Sequence, residues 1–288
     1  MGVDLGGTWI RVGTYDISGG GAEDGDTTSL KVQKQKLTST SFPKVLDIMT
    51  KMIRDFVGSS NCHENVRICV GQPGLVISND FVSNAANLGW GDPKPLGRSL
   101  RARFPRSRVY LLPDVDCAAL AEAEFGAGRD VRDGRVAIVN IGTGLGVGLV
   151  LKENGRSRLL NPGAEFGHTI VKHDETTLSC NCGSKGCLEM IASGGSNTTT
   201  KNGPMIGGIA IALLNTIRAY VPDRIVLGGG LGMSLDLKAV RLRLRDLCWK
   251  EEIGKYVEDI SVIVKAKMEP GEAGIRGAIL MGSSPPLL

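Results

Sequence analysis

The order of apolar segments in this 288-residue chain predicts an α/β protein. Three observations lead there. Short β-rich runs alternate with runs of helical period along the whole length. The glycines, 40 in all, gather in short clusters beside apolar strands. Two strand–turn–strand units, one at residues 1–13 and one at 136–152, repeat a single glycine-turn layout, which suggests two related lobes.

Taken in order, residues 1–13 read as a strand, a Gly6-Gly7-Thr8 turn and a returning strand over 9–12. Residues 44–57 form an amphipathic helix, and 67–70 a short buried strand ending in Gly71-Gln72-Pro73-Gly74. A strand over 108–112 leads to an alanine-rich helix over 117–125, closed by Gly126. Strands 136–141 and 148–152 flank Gly142-Thr143-Gly144-Leu145-Gly146 as a hairpin. A helix over 209–220 precedes strand 225–227 and the loop Gly228-Gly229-Gly230. A helix over 237–247, a strand over 260–264 and a closing helix over 273–281 complete the chain. The low-complexity stretch 194–204 (GGSNTTTKNGP) reads as a flexible linker.

Hydrophobic content of 42% and charged content of 22% fit a soluble globular protein with one large domain or two lobes. The net charge of +4 is mild, and no dense Lys/Arg run points to nucleic acid. No apolar run approaches a membrane span, and the first residues show no leader pattern. Seven cysteines, odd in number and clustered, suit a reducing compartment, so the expectation is a cytoplasmic protein with no membrane partner.

The densest motif is Cys180-Asn181-Cys182-Gly183-Ser184-Lys185-Gly186-Cys187-Leu188-Glu189, with His168 twelve residues before its first cysteine. One imidazole nitrogen and three thiolates make a complete tetrahedral set for a structural Zn²⁺. Gly183 and Gly186 provide the backbone angles that a tight metal knuckle needs. Buried or disulfide-forming thiols are the plainer alternative, and His173 is a rival fourth ligand. Two acids, Glu165 and Glu189, bracket the knuckle.

Asp4-Leu5-Gly6-Gly7-Thr8 sets an acid at a strand end before a two-glycine turn with a hydroxyl. Bare amides and a threonine hydroxyl can cradle phosphate oxygens, and the acid can hold Mg²⁺ through water. Such a turn alone is often only a turn. Gly142, Thr143 and Gly144 repeat the arrangement, and Gly228, Gly229 and Gly230 follow a third buried strand, so together they indicate nucleotide binding. Neither a dinucleotide fingerprint nor a Walker loop is present.

The order of these pieces resembles the ROK family of sugar kinases and repressors. D-L-G-G-T at 4–8, E-F-G-H at 165–168 and the knuckle at 180–189 carry the likeness, which extends from Asp4 to about Gly277. The resemblance implies a two-lobed actin-like ATPase (ribonuclease H-like) fold, with a small lobe over 1–112 and a large lobe over 113–288 holding the zinc knuckle at 168–187. It implies an ATP-dependent kinase, with Mg²⁺ and a structural Zn²⁺, acting on the 6-hydroxyl of glucose or a close relative. Asp114 takes the place of the catalytic base, with Asp116 as its rival. Gly74, Asn87, Glu165, His168 and Glu189 fall at sugar-binding positions, and Asp114 also meets the reacting hydroxyl. Thr8 and Thr143 mark the two phosphate turns, and residues 228–230 the adenosine loop. Trp90 stands open between lobe packing and a sugar platform; His63 reads as an exposed loop histidine. A homodimer is the assembly implied.

The chain departs from the family pattern in three places. Pro113 replaces an asparagine whose amide binds a sugar hydroxyl, only three residues precede Asp4, and the stretch 193–225 is several tens of residues short, so the large lobe is expected to be pruned. N-acetylmannosamine, N-acetylglucosamine and fructose are alternative acceptors within the same framework. A sugar-binding protein without turnover is a further alternative. The family's repressors carry an N-terminal DNA-binding helix pair, for which this sequence shows no segment ahead of Asp4.

Overall fold

The first strand, β1 (Gly2–Leu5), is buried at all four residues, as a central strand requires. In the computed structural model, residues 1–16, 29–57, 66–174, 178–195, 204–248 and 250–283 are described. The elements that follow are β2 (Trp9–Asp16), β3 (Ser29–Lys36), α1 (Phe42–Val57), β4 (Arg67–Gln72), β5 (Leu75–Ile77), β6 (Phe81–Ser83), α2 (Leu96–Arg103), β7 (Arg108–Pro113) and α3 (Asp114–Glu124). The second half runs β8 (Gly134–Ile141), β9 (Leu145–Glu153), β10 (Arg156–Leu160), α4 (Glu189–Ala192), α5 (Pro204–Tyr220), β11 (Arg224–Gly228), α6 (Gly229–Ser234), α7 (Leu237–Leu247), α8 (Lys250–Glu258), β12 (Ile263–Lys265) and α9 (Pro270–Ser283). No helix among the described residues is long and apolar enough to cross a membrane.

The chain divides into two compact units, one of Met1–Cys117 with Gly271–Leu288, the other of Ala118–Pro270. In the first, the sheet order is β3-β2-β1-β4-β7, with β1 antiparallel to β2 and parallel to β4. Helix α1 buries Val45, Leu46, Met49, Met52 and Ile53, the i, i+1, i+4, i+7, i+8 stripe of an amphipathic helix. Each such side chain contributes about 1.5–3 kcal/mol on burial. Helix α9 joins this unit because its small residues permit close approach. A Cβ on Gly277 would lie 1.8 Å from the Cys117 carbonyl oxygen, and Ile279 packs against Gly2. The lobe expected over 113–288 therefore yields its last helix to the first unit.

In the second unit the order is β10-β9-β8-β11-β12, so third, second, first, fourth and fifth strands follow one another as in the first sheet. Its core is built on α5, where Ile209, Ala210, Ala212, Leu213 and Ile217 are buried against β8 and β11 residues such as Ala137, Val139 and Ile225. All five strands of this sheet lie among the described residues.

Several elements lie beyond the sequence reading. Strands β3 and β10 are polar sheet edges, and β3 alternates lysine and glutamine on an exposed strand, a pattern that guards an edge but hides its strand period. Helix α3 begins three residues before the alanine-rich run, at Asp114. The strand expected over 260–264 is shorter because the Asp259 carboxylate accepts bonds from the Ser261 amide and hydroxyl and holds a turn there. The linker residues 196–203 and His63 lie outside the described residues.

Candidate active site

In the first unit the chemistry gathers at the ends of β1, β4 and β7. Asp4 is 7% exposed. Its cross-strand partner in the β1–β2 register is Arg11, whose Nη1 donates to Asp4 Oδ2 at 2.6 Å. Burial pushes the Asp4 carboxyl up to about 6; Arg11 opposes that shift and nearby Asp114 adds to it. Asp4 and Asp114 thus share one electrostatic neighbourhood. Arg11 is a partner of Asp4 that motif reading passes over; the signal was available in the hairpin register across the Gly6-Gly7-Thr8 turn. That turn is closed by the Gly6 amide donating to the Trp9 carbonyl at 2.9 Å, and Thr8 is exposed.

Asp114, the first residue of α3, is exposed, whereas its rival Asp116 is 2% exposed and turned into the core. Asn87 stands exposed in a single helical turn whose backbone carbonyl lies against Gly7. Gly74 has φ +91°, and its carbonyl receives the Gln72 side-chain amide at 3.2 Å. Trp90 is a packing residue. It is buried, its Nε1 donates to the Thr40 carbonyl at 2.7 Å, and its ring meets Phe42 edge-on at 5.4 Å.

In the second unit, the knuckle folds on itself through the Cys180 amide donating to the Ser184 carbonyl at 2.8 Å and the Gly183 amide to the Cys180 carbonyl at 3.0 Å. Gly183 and Gly186 take φ of +94° and +79°, the left-handed region expected of them. The four donor atoms of His168, Cys180, Cys182 and Cys187 all lie within 4.8 Å of one another. Cys180 Sγ is 3.5 Å from His168 Nδ1, and Cys182 Sγ is 3.6 Å from Cys187 Sγ. A tetrahedral ion with Zn–S near 2.3 Å and Zn–N near 2.0 Å requires edges of about 3.8 Å and about 3.5 Å. The donor set therefore fits such an ion, with His168 as the fourth ligand and exposed His173 outside the cluster. Burial pushes the Cys187 thiol up to about 12 and raises Cys180, so metal binding must displace protons there. For Cys182 burial acts the same way and is the largest single influence, but bonds from Ser184, Cys187 and Cys180 together outweigh it and the thiol is lowered.

The other ring nitrogen of His168, Nε2, lies 3.7 Å from Glu165 Oε2. Desolvation raises the Glu165 carboxyl; His168 opposes that and Glu189 adds to it, so these three groups share one neighbourhood. Glu189 opens α4, and its Oε2 accepts the Leu145 amide at 2.8 Å. That amide follows the second glycine turn, where a Cβ on Gly144 would stand 2.5 Å from the same oxygen. Gly167 fits under the Leu145 carbonyl, 2.0 Å from where its Cβ would be. The Gly194 and Gly195 amides donate to the Gly142 and Thr143 carbonyls at 2.8 and 3.0 Å. Gly228 pairs with Asn140 as the last residue of β11, and Gly229 and Gly230 open α6 directly. The expected loop at 228–230 is thus a strand-to-helix junction seated against the end of β8.

The ROK family model matches residues 1–202. A glucokinase of Streptomyces coelicolor is 33% identical over 196 residues, which are 67% of this chain and 56% of the relative. An N-acetyl-D-glucosamine kinase of Salmonella typhimurium is 33% identical over 208 residues, 67% of this chain and 62% of the relative. The chain thus spans little more than half the length of the curated glucokinase it matches. The crystal structure of a ROK family glucokinase from Streptomyces griseus in complex with glucose and AMPPNP superposes with a TM-score of 0.68, at 24% identity, over 97% of both chains. The shared fold therefore runs well past residue 202.

Proposed function

The chain belongs to the ROK family and has the mixed α/β, actin-like ATPase fold of its ROK sugar-kinase neighbours, and from that premise we propose that it is an ATP-dependent sugar kinase acting on the 6-hydroxyl of glucose. The observation that carries the reading is the meeting of Glu165, His168 and Glu189 with the second glycine turn inside one unit. Carboxylates and an imidazole are the acceptors that sugar hydroxyls need, and glycine-turn amides are the donors that phosphates need.

In this reading Glu165, His168 Nε2 and Glu189 hold the sugar hydroxyls. His168 Nδ1 and the three Sγ atoms would hold Zn²⁺, which would fix the ring so that Nε2 is presented to the sugar. Asp114 accepts the proton of the 6-hydroxyl as its oxygen attacks the γ-phosphorus; the bond to the β-phosphate oxygen breaks and ADP leaves. Its exposure at the start of α3, where Asp116 is buried, supports the choice. The amides of the two turns, with Thr8 and Thr143, cradle phosphate oxygens, and residues 228–230 take the nucleoside. Mg²⁺ arriving with ATP would supply charge neutralisation to the phosphates.

Glucose is supported by the glucokinase relatives. N-acetylglucosamine is the second acceptor reading, supported by a kinase of that sugar at equal identity. A sugar-binding protein without turnover is favoured by Pro113 and by the short 193–225 stretch, since a hydroxyl left unpaired costs about 1–3 kcal/mol. An ADP-release assay with Mg-ATP across hexoses and N-acetylhexosamines tests all three. Turnover with one sugar, reduced at least about 100-fold in Asp114→Asn with sugar affinity kept within a few-fold, is the expected result. Full turnover in Asp114→Asn overturns the base assignment, and sugar binding without any ADP release overturns the kinase.

A further inference from the structure

We propose that Glu189 is a positioning residue for the second phosphate turn as well as a sugar acceptor, so that sugar binding and nucleotide binding are linked through a single carboxylate; this rests on the sugar-kinase reading. The division of labour is visible in its two oxygens. Oε2 is committed to the Leu145 amide at 2.8 Å, a charge-assisted bond to the backbone that leaves the turn. Oε1 is the oxygen left for a sugar hydroxyl. The fit is close: a Cβ on residue 144 would stand 2.5 Å from Oε2, so a side chain there would push the carboxylate away from the Leu145 amide.

Independent contacts weld the same two segments together. The backbone at Gly167, between the sugar acceptors Glu165 and His168, is pressed against the Leu145 carbonyl. Beyond Glu189, the Gly194 and Gly195 amides hold the Gly142 and Thr143 carbonyls. Residues 142, 143 and 145 of the turn are therefore all secured by the segment that carries the sugar acceptors. A ligand that orders one side orders the other, and the coupling is reciprocal.

Two variants separate this role from sugar contact. In Glu189→Gln the amide oxygen still accepts the Leu145 N–H, so the turn is kept while the sugar contact changes. In Glu189→Ala both are lost. Calorimetric titration with AMPPNP in sugar-free protein should show affinity about tenfold weaker in Glu189→Ala and within about threefold of wild type in Glu189→Gln. Glu165→Ala, which removes a sugar acceptor without touching the turn, should leave AMPPNP affinity unchanged. Amide hydrogen exchange at Leu145, read in ligand-free protein, should quicken in Glu189→Ala and stay slow in Glu189→Gln. Unchanged exchange at Leu145 in folded Glu189→Ala, or equal loss of AMPPNP affinity in both variants, overturns the proposal. Slow exchange restored by Gln in a protein that binds no AMPPNP would instead overturn the kinase reading and leave the positioning bond standing.

Discussion

Asp4 holds a carboxyl in a place that resists its charge. Burial favours the protonated acid, and Arg11 pulls the other way from 2.6 Å, leaving the group at about 6. The folded state binds this proton more tightly than the unfolded chain, whose value is 3.8, so this group's contribution falls as pH rises between the two values. Its full cost, on the order of 3 kcal/mol, is present above pH 6. Wild type should therefore lose stability relative to Asp4→Asn between pH 4 and pH 7. Denaturant melts of both proteins at the two pH values measure this, and a constant gap would contradict the raised value. Turnover that needs the Asp4 carboxylate should decline as pH drops through 6. Arg11→Ala removes the opposing charge and should move that decline to higher pH.

Helix α3 is secured at its C-terminal end by one buried acid. Glu122 is 1% exposed, and its carboxylate accepts amides from Ala127 at 2.7 Å, Lys267 at 3.0 Å and Met268 at 2.8 Å. Lys152 caps the same end through bonds to the Ala123 and Arg129 carbonyls. Removing an acceptor that serves three amides, those of Ala127 and Met268 buried, costs more than losing a surface bond, because the buried donors lose their partner away from water. Glu122→Ala should destabilise the protein by about 3 kcal/mol, and Glu122→Gln by less, in urea unfolding. The knuckle is the second element with a sharp expectation. One zinc per chain should be found by metal analysis in the wild type and none in Cys182→Ser, with sugar affinity at least about tenfold weaker. Unaltered sugar affinity in the metal-free variant would remove the structural role proposed for the ion.

At the scale of the molecule, two units repeat one strand order, yet only the second contains the knuckle. Chelation should therefore quicken amide exchange within Ala118–Pro270 while the buried amides of β1 and β4 stay protected. Exchange that rises evenly over both units would show that the metal supports the whole fold. The second sheet holds five strands, with β11 parallel to both β8 and β12. The fold is shared over 97% of the chain, whereas the family model matches residues 1–202.

What the sequence determined by itself was local: the α/β alternation, the three glycine clusters, the four-donor Cys/His cluster and the acid at the head of an alanine-rich helix. Each is written in neighbouring residues whose spacing is enough to read it. What only the tertiary structure decided depends on residues far apart in the chain. It turned Asp116 into the core and left Asp114 open, set Arg11 on Asp4 through strand register, buried Trp90 against Phe42, and returned α9 to the first unit. It also joined Glu189 to Leu145 across 44 residues of chain. Side-chain direction and long-range hydrogen bonds follow from packing and register, and those exist only once the strands have paired.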